Sequence, residues 1–168
     1  EIGMARLSSI SPDDRLQLRL HGKGYFFDNA RRKHGALMHE VLSRIRTRKD
    51  IPQSVERYHQ EGVIDKEEAI ALVARLEELL NLPWYDGTAR VLNEVDILFG
   101  KGLSKRPDRV MITGNRVVVV DYKFGEHADQ RYHSQVRNYL KLIRQMGYDE
   151  VEGFLWYVEL NKIEAVKG

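Results

Sequence analysis

The sequence predicts an α/β domain with a mixed central β-sheet flanked by helices. Helix-period segments come first, three strands follow in a meander, and a further helix precedes one or two last strands. That order gives a mixed sheet with helices packed against it. At 168 residues the chain is read as one domain, 1–168, long enough to bury a core. Its 42% hydrophobic and 31% charged content are those of a soluble globular protein. No apolar run approaches the roughly 18 residues of a membrane span, and no secretory signal pattern is present. Cysteine is absent, which excludes disulfides, thiolate nucleophiles and metal sites built on thiolates.

Residues 1–29 show no clear period; Ser11-Pro12-Asp13 reads as a cap for a short helix, and Tyr25-Phe26-Phe27 as an aromatic cluster for the core. A start at Glu1 rather than methionine is read as an excised fragment or a processed start. His34 to Arg48 predicts a helix, with Leu37, Met38, Val41, Leu42 and Ile45 on one apolar stripe. His39 lies on the flank of that stripe. Two readings are open for it: a side chain looking into a cleft, or a partly buried histidine bonded to a neighbour.

From Ile51 to Leu82 two more helices are expected. Pro52 starts the first and Gly62 ends it; Asp65 caps the second, with Glu68 at the capping-box position. Trp84 and Tyr85 belong to the core or line a groove, and Thr88 to Phe99 reads as a strand. Asp129 to Met146 predicts a helix ended by Gly147, with Tyr132, Gln135 and Tyr139 along one side. Val151 to Glu159 is a strand, and Lys162 to Val166 a last edge strand.

The stretch around which these elements are organised is Arg106 to Lys123, RPDRVMITGNRVVVVDYK, which reads as strand, tight turn and strand. A two-residue loop at Gly114-Asn115 pairs Thr113 with Arg116, and pairing outward places Asp108 opposite Asp121. Opposed residues share a face with Cβ atoms roughly 5 Å apart. Two carboxylates so placed repel unless a cation lies between them, and the period of two returns Lys123 to the same face. An ordinary hairpin with a charged solvent face is the alternative. Basic residues gather at Arg31, Arg32, Lys33, Arg44, Arg46, Arg48 and Lys49, and at Lys101, Lys105, Arg106 and Arg109 on the approach to the acidic pair. Such patches beside carboxylates suit a polyanion that must also meet a metal.

Pro107-Asp108 followed by Asp121-Tyr122-Lys123 resembles the motif of the PD-(D/E)XK nuclease superfamily. Over about residues 30–160 the order of features is similar to the RecB/AddA-type nuclease domain of bacterial helicase–nucleases. The matching features are Gly35 to His39 on a helix, Glu94 on a strand, Gly102 and Asp108 at the hairpin entry, Asp121-Tyr122-Lys123, and Tyr132, Gln135 and Tyr139 on a helix. Phe124 stands where that family usually has threonine, and the iron–sulfur cysteines of many relatives are missing.

The resemblance implies a restriction-endonuclease-like fold and a metal-dependent DNA nuclease, the exonuclease part of an ATP-dependent helicase–nuclease in DNA end processing, repair and recombination. It implies Asp108, Asp121 and Lys123 as catalytic residues. Mg²⁺ or Mn²⁺, without an iron–sulfur cluster, is held by Asp108, Asp121, the Tyr122 carbonyl and His39. Gln135, Tyr139, Tyr132 and Glu94 bind substrate or support the site. The implied partners are DNA, single-stranded or at its ends, and a helicase motor on the same parent chain or another subunit, since no phosphate-binding loop motif occurs here. The implied location is the bacterial cytoplasm, at the nucleoid and away from membranes. The alternative is a catalytically inactive nucleic-acid-binding module of the same fold; an acidic pair within a basic groove argues against it, because binding alone requires none.

Overall fold

The computed structural model describes residues 33–93, 106–124 and 129–168. The chain divides into two compact units, Glu1–Met38 and His39–Gly168, and the architecture that follows is that of the second. It opens inside helix α1, described over 33–43. A 3-10 turn at Arg48–Asp50 then leads into α2 (Ile51–Gln60) and α3 (Lys66–Leu79). A second 3-10 turn, Pro83–Tyr85, precedes strands β1 (Arg90–Asn93), β2 (Arg109–Thr113) and β3 (Arg116–Lys123). Helix α4 (Gln130–Gln145), β4 (Glu150–Tyr157) and β5 (Lys162–Val166) complete the chain. The aromatic cluster at 25–27, Arg31, Arg32, Glu94, the rest of the predicted first strand, Lys101, Gly102, Lys105 and Gly125 lie outside the described residues. Among the described residues no helix is long and apolar enough to cross a membrane.

The helix ends follow from local chemistry. Pro52 occupies the first turn of α2, where its missing N–H costs nothing. Beyond that helix Gly62 takes φ +76°. Asp65 accepts from the Glu68 backbone N–H, and the Glu68 carboxylate returns to the Asp65 N–H, so the capping box is closed. The first helix ends earlier than its apolar stripe predicts. Residues 33–43 are helical, and after them Arg44 and Ile45 bond only three residues back, to the carbonyls of Val41 and Leu42. The carbonyls of Ile45 and Arg46 are taken by side chains of the sheet: Arg109 bonds both, and Asn93 bonds Ile45. Ile45 is fully buried all the same, so its place on the stripe reflects the core and not the helix.

The five strands form one mixed sheet in the order β1-β2-β3-β4-β5. The first three make the expected antiparallel meander, β3 and β4 are parallel with α4 as the crossover, and β5 returns antiparallel on β4. Thr113 pairs with Arg116 and Arg109 with Val120, the register expected from a two-residue loop. Gly114 takes φ +59° in that loop, at the first of the two central positions, where a hairpin of this kind favours glycine.

Alternation then separates the sheet into two faces. One carries Val110, Val117, Val119, Leu155 and Tyr157, packed under Val136, Tyr139, Leu140 and Ile143 of α4. The other carries Arg109, Tyr122 and Trp156 with Tyr85 from the second 3-10 turn, all buried. Tyr85 belongs to the core, whereas Trp84 is half-buried: its ring packs on Phe154 and Trp156 and lines an open groove beside Met111 and Val118. Gly153 sets how close α4 comes to the sheet. A Cβ there would lie 2.6 Å from Val136 Cγ1 and 3.0 Å from Leu140 Cδ1.

Candidate active site

Asp108 immediately precedes β2, and Asp121 and Lys123 belong to β3, on the face covered by α4. The hairpin register therefore brings both carboxylates and the lysine to one place, at the end of the sheet where β3 runs out. Asp108 uses both of its oxygens. Oδ1 lies 2.6 Å from His39 Nε2, and Oδ2 accepts from the Tyr122 backbone N–H at 2.8 Å. Burial works against its charge, but these bonds and one with Asp121 outweigh it and hold Asp108 below the usual carboxylate range.

Asp121 is only 3% exposed, and its carboxyl is pushed up to about 7. Burial is the main cause, the Asp108 charge is the second, and a hydrogen bond to Asp108 adds to both; Lys123 pulls the other way. Lys123 Nζ lies 2.7 Å from Asp121 Oδ2 as its ion-pair partner, and among the described residues that buried oxygen has no other partner. The same ammonium stands 4.1 Å from the centre of the Tyr132 ring. Gln135 Nε2 donates to Tyr139 Oη at 2.9 Å. Tyr139 is buried, and its hydroxyl is pushed up to about 12, first by burial and then by the charges of Asp121 and Asp108. The row on α4 thus faces the acidic pair.

The donor chemistry fits a hard divalent cation: two aspartates at the ends of paired strands, one of them with a buried oxygen already neutralised by the Lys123 ammonium. Among the described residues no three His, Cys, Asp or Glu side chains form a ready-made cage. An ion here would take the aspartates and complete its shell with backbone, water or substrate oxygens, as Mg²⁺ commonly does. His39 comes to the site and lies against Asp108, with ring contacts to Tyr122 and Phe124. Glu94, the remaining expected site residue, lies outside the described residues.

Arg109 corrects one sequence expectation. It does not line a basic approach to the carboxylates: it is fully buried on the opposite face. Its guanidinium donates to Ile45 O at 2.9 Å, to Arg46 O at 2.6 Å and to Trp84 O, and stacks 3.9 Å over the Tyr85 ring. If Asp108 faces the site, strand alternation sends residue 109 to the other side, and that signal was available in the sequence. Several other predicted basic residues are engaged in ion pairs: Arg44 with Glu40, and Arg48 with Glu77. Two supporting residues also escaped sequence reasoning. Tyr85 meets the Tyr122 hydroxyl at 3.0 Å in the core, and Phe124 abuts His39.

Comparison with curated proteins found no match. The family model of the PD-(D/E)XK nuclease superfamily matches residues 15–168, which include α1, the whole sheet and the acidic hairpin. With its mixed sheet and paired aspartates followed by a lysine, the chain belongs to the PD-(D/E)XK nuclease superfamily.

Proposed function

We propose that this chain is the metal-dependent deoxyribonuclease domain of a RecB/AddA-type helicase–nuclease, acting on DNA ends in repair and recombination. The observation that carries the reading is the buried Asp121 carboxyl, held beside Asp108 and ion-paired with Lys123. Structural hairpins have no use for a carboxyl buried against another carboxyl, whereas perturbed acid pairs are characteristic of reactive sites. Asp108 and Asp121 would hold Mg²⁺ or Mn²⁺, with the Tyr122 carbonyl and His39 as further donors. Bound there, the ion would supply Lewis acidity toward a water and a phosphoryl oxygen. Asp121 would hold the ion in its carboxylate form. Lys123 stabilises negative charge developing on the phosphoryl oxygens and orients the attacking water. Gln135 and Tyr139 fix the wall of the site, and Glu94 enters the proposal from the sequence alone. The helicase motor would lie on the parent chain or on a partner, in the bacterial cytoplasm at the nucleoid.

The test is degradation of labelled single-stranded DNA with Mg²⁺, Mn²⁺ or EDTA, comparing the wild type with Asp121→Ala and Lys123→Ala. Metal-dependent cleavage that falls at least about a hundredfold in both variants supports the proposal. Cleavage that persists in both variants, or a folded wild type that binds DNA without cutting it, counts against it; the second result favours a binding module.

A further inference from the structure

Within the proposed nuclease reading, we infer that Tyr132 is a positioning residue for Lys123, its ring face holding the ammonium that must leave Asp121 when a metal takes that carboxylate. Two contacts of the Lys123 ammonium define the problem. Asp121 Oδ2 lies 2.7 Å away and the centre of the Tyr132 ring 4.1 Å away, in a site where the lysine side chain is only 20% exposed. Among the described residues the same buried Oδ2 has no partner but that ammonium, which makes it a seat for a cation. A metal ion and an ammonium cannot share that oxygen at close range, because like charges repel strongly in a poorly solvated site. Lys123 therefore has to give up its carboxylate before it can serve a phosphate.

A half-buried ammonium without its counter-ion would swing toward water and out of the reaction plane. The electron-rich face of an aromatic ring holds it at little cost and without an acid–base group of its own. Tyr132 is built for this. It lies in the first turns of α4, behind the Asp129 cap, and packs against the buried cluster between α4 and the sheet. Tyr139, seven residues along the same side, shares its hydroxyl with Gln135. Among the described residues no hydrogen bond from the Tyr132 hydroxyl appears, so its ring is the part in use. The side chain at 132 needs a ring and not a phenol.

The test uses Tyr132→Phe, which keeps the ring face, and Tyr132→Leu, which keeps apolar bulk and removes it. In EDTA, the Lys123 side-chain NMR signals, assigned by their loss in Lys123→Arg, are expected to be shifted upfield by the ring in the wild type and in Tyr132→Phe. In Tyr132→Leu they are expected to return to ordinary lysine positions. With Mg²⁺ and single-stranded DNA, kcat is expected to fall about tenfold in Tyr132→Leu with KM within about twofold, and to stay near wild type in Tyr132→Phe. A merely structural role would lower the melting temperature of Tyr132→Leu and leave kcat per folded molecule near wild type. Unshifted Lys123 signals in the wild type, or wild-type kcat in Tyr132→Leu, would overturn the inference. A wild type that shows the shift but no cleavage would sink the nuclease reading and any catalytic role for the pairing with it.

Discussion

Replacing Asp121 with asparagine should remove activity and, with metal excluded, stabilise the protein relative to wild type by an amount that grows as pH rises. The fold holds the Asp121 carboxyl at about 7 instead of its ordinary 3.8. Between about pH 4 and pH 7 the native state therefore binds a proton that the unfolded chain has released, and stability declines as pH rises through that window. Asp108 has the opposite shift, so its contribution is lost only as pH falls below the ordinary carboxylate range and stays constant here. From about pH 5 to pH 8 roughly two units of the Asp121 gap are traversed, which sets a ceiling of about 3 kcal/mol at 1.4 kcal/mol per unit. Asparagine has the same shape and does not titrate. It also deprives Lys123 of the ion pair at 2.7 Å, so about half of that ceiling is the expected gain. In a chain of 168 residues, about 1.5 kcal/mol corresponds to a rise of about 3–6 °C in melting temperature. The assay is thermal unfolding of wild type and Asp121→Asn in EDTA at the two pH values. A difference between the two proteins that does not change across this range would refute the assignment of a raised carboxyl at 121.

Three further outcomes are expected. Gly153→Ala drives a methyl to 2.6 Å from Val136 Cγ1, so α4 must shift; unfolding should show a loss of about 1–3 kcal/mol, and cleavage should fall because the row facing Lys123 moves with the helix. Arg109→Met leaves the carbonyls of Arg46 and Trp84 without their donor and that of Ile45 with only Asn93, and denaturant unfolding should show about 3–5 kcal/mol of destabilisation although residue 109 does not face the acidic pair. An unchanged midpoint would mean that water replaces the guanidinium. Asp65→Ala opens the capping box of α3 and should cost about 1 kcal/mol with no change in cleavage per folded molecule, measured by urea titration beside the nuclease assay.

Much of the arrangement was legible in the sequence because it depends on short-range rules. Gly114-Asn115 fixes a two-residue loop, the loop fixes the register, and the register brings Asp108, Asp121 and Lys123 together. Asp65 with Glu68, Pro52 in the first turn of α2 and Asp129 before α4 are equally local signals, and each element starts where they say, to within a residue. What escaped was set by partners distant in the chain. Ile45 looks helical by period, but its carbonyl is claimed by a guanidinium 64 positions away. Arg109 looks like a surface cation by type, and only a sheet covered on both faces turns it into a core residue. His39 left two readings open from its place on the stripe, and its bond to Asp108 spans 69 residues that no helical period can encode.

The alternation of Asp108 and Arg109 at the start of β2 has a consequence for folding as well as for chemistry. Neighbouring strands with only valine and isoleucine on both faces could slide by one residue at small loss, and β3 offers a run of four valines against which to slide. A slip of one position in β2 would turn the guanidinium toward the carboxylate site and push the carboxylate into the aromatic layer of Tyr85, Tyr122 and Trp156. Both charges would then be desolvated without their present partners, and that misaligned sheet would lie well above the native one in free energy. Two adjacent residues of opposite sign thus act as a key that admits one alignment of the hairpin, so a chain that has folded at all has already assembled its acidic pair.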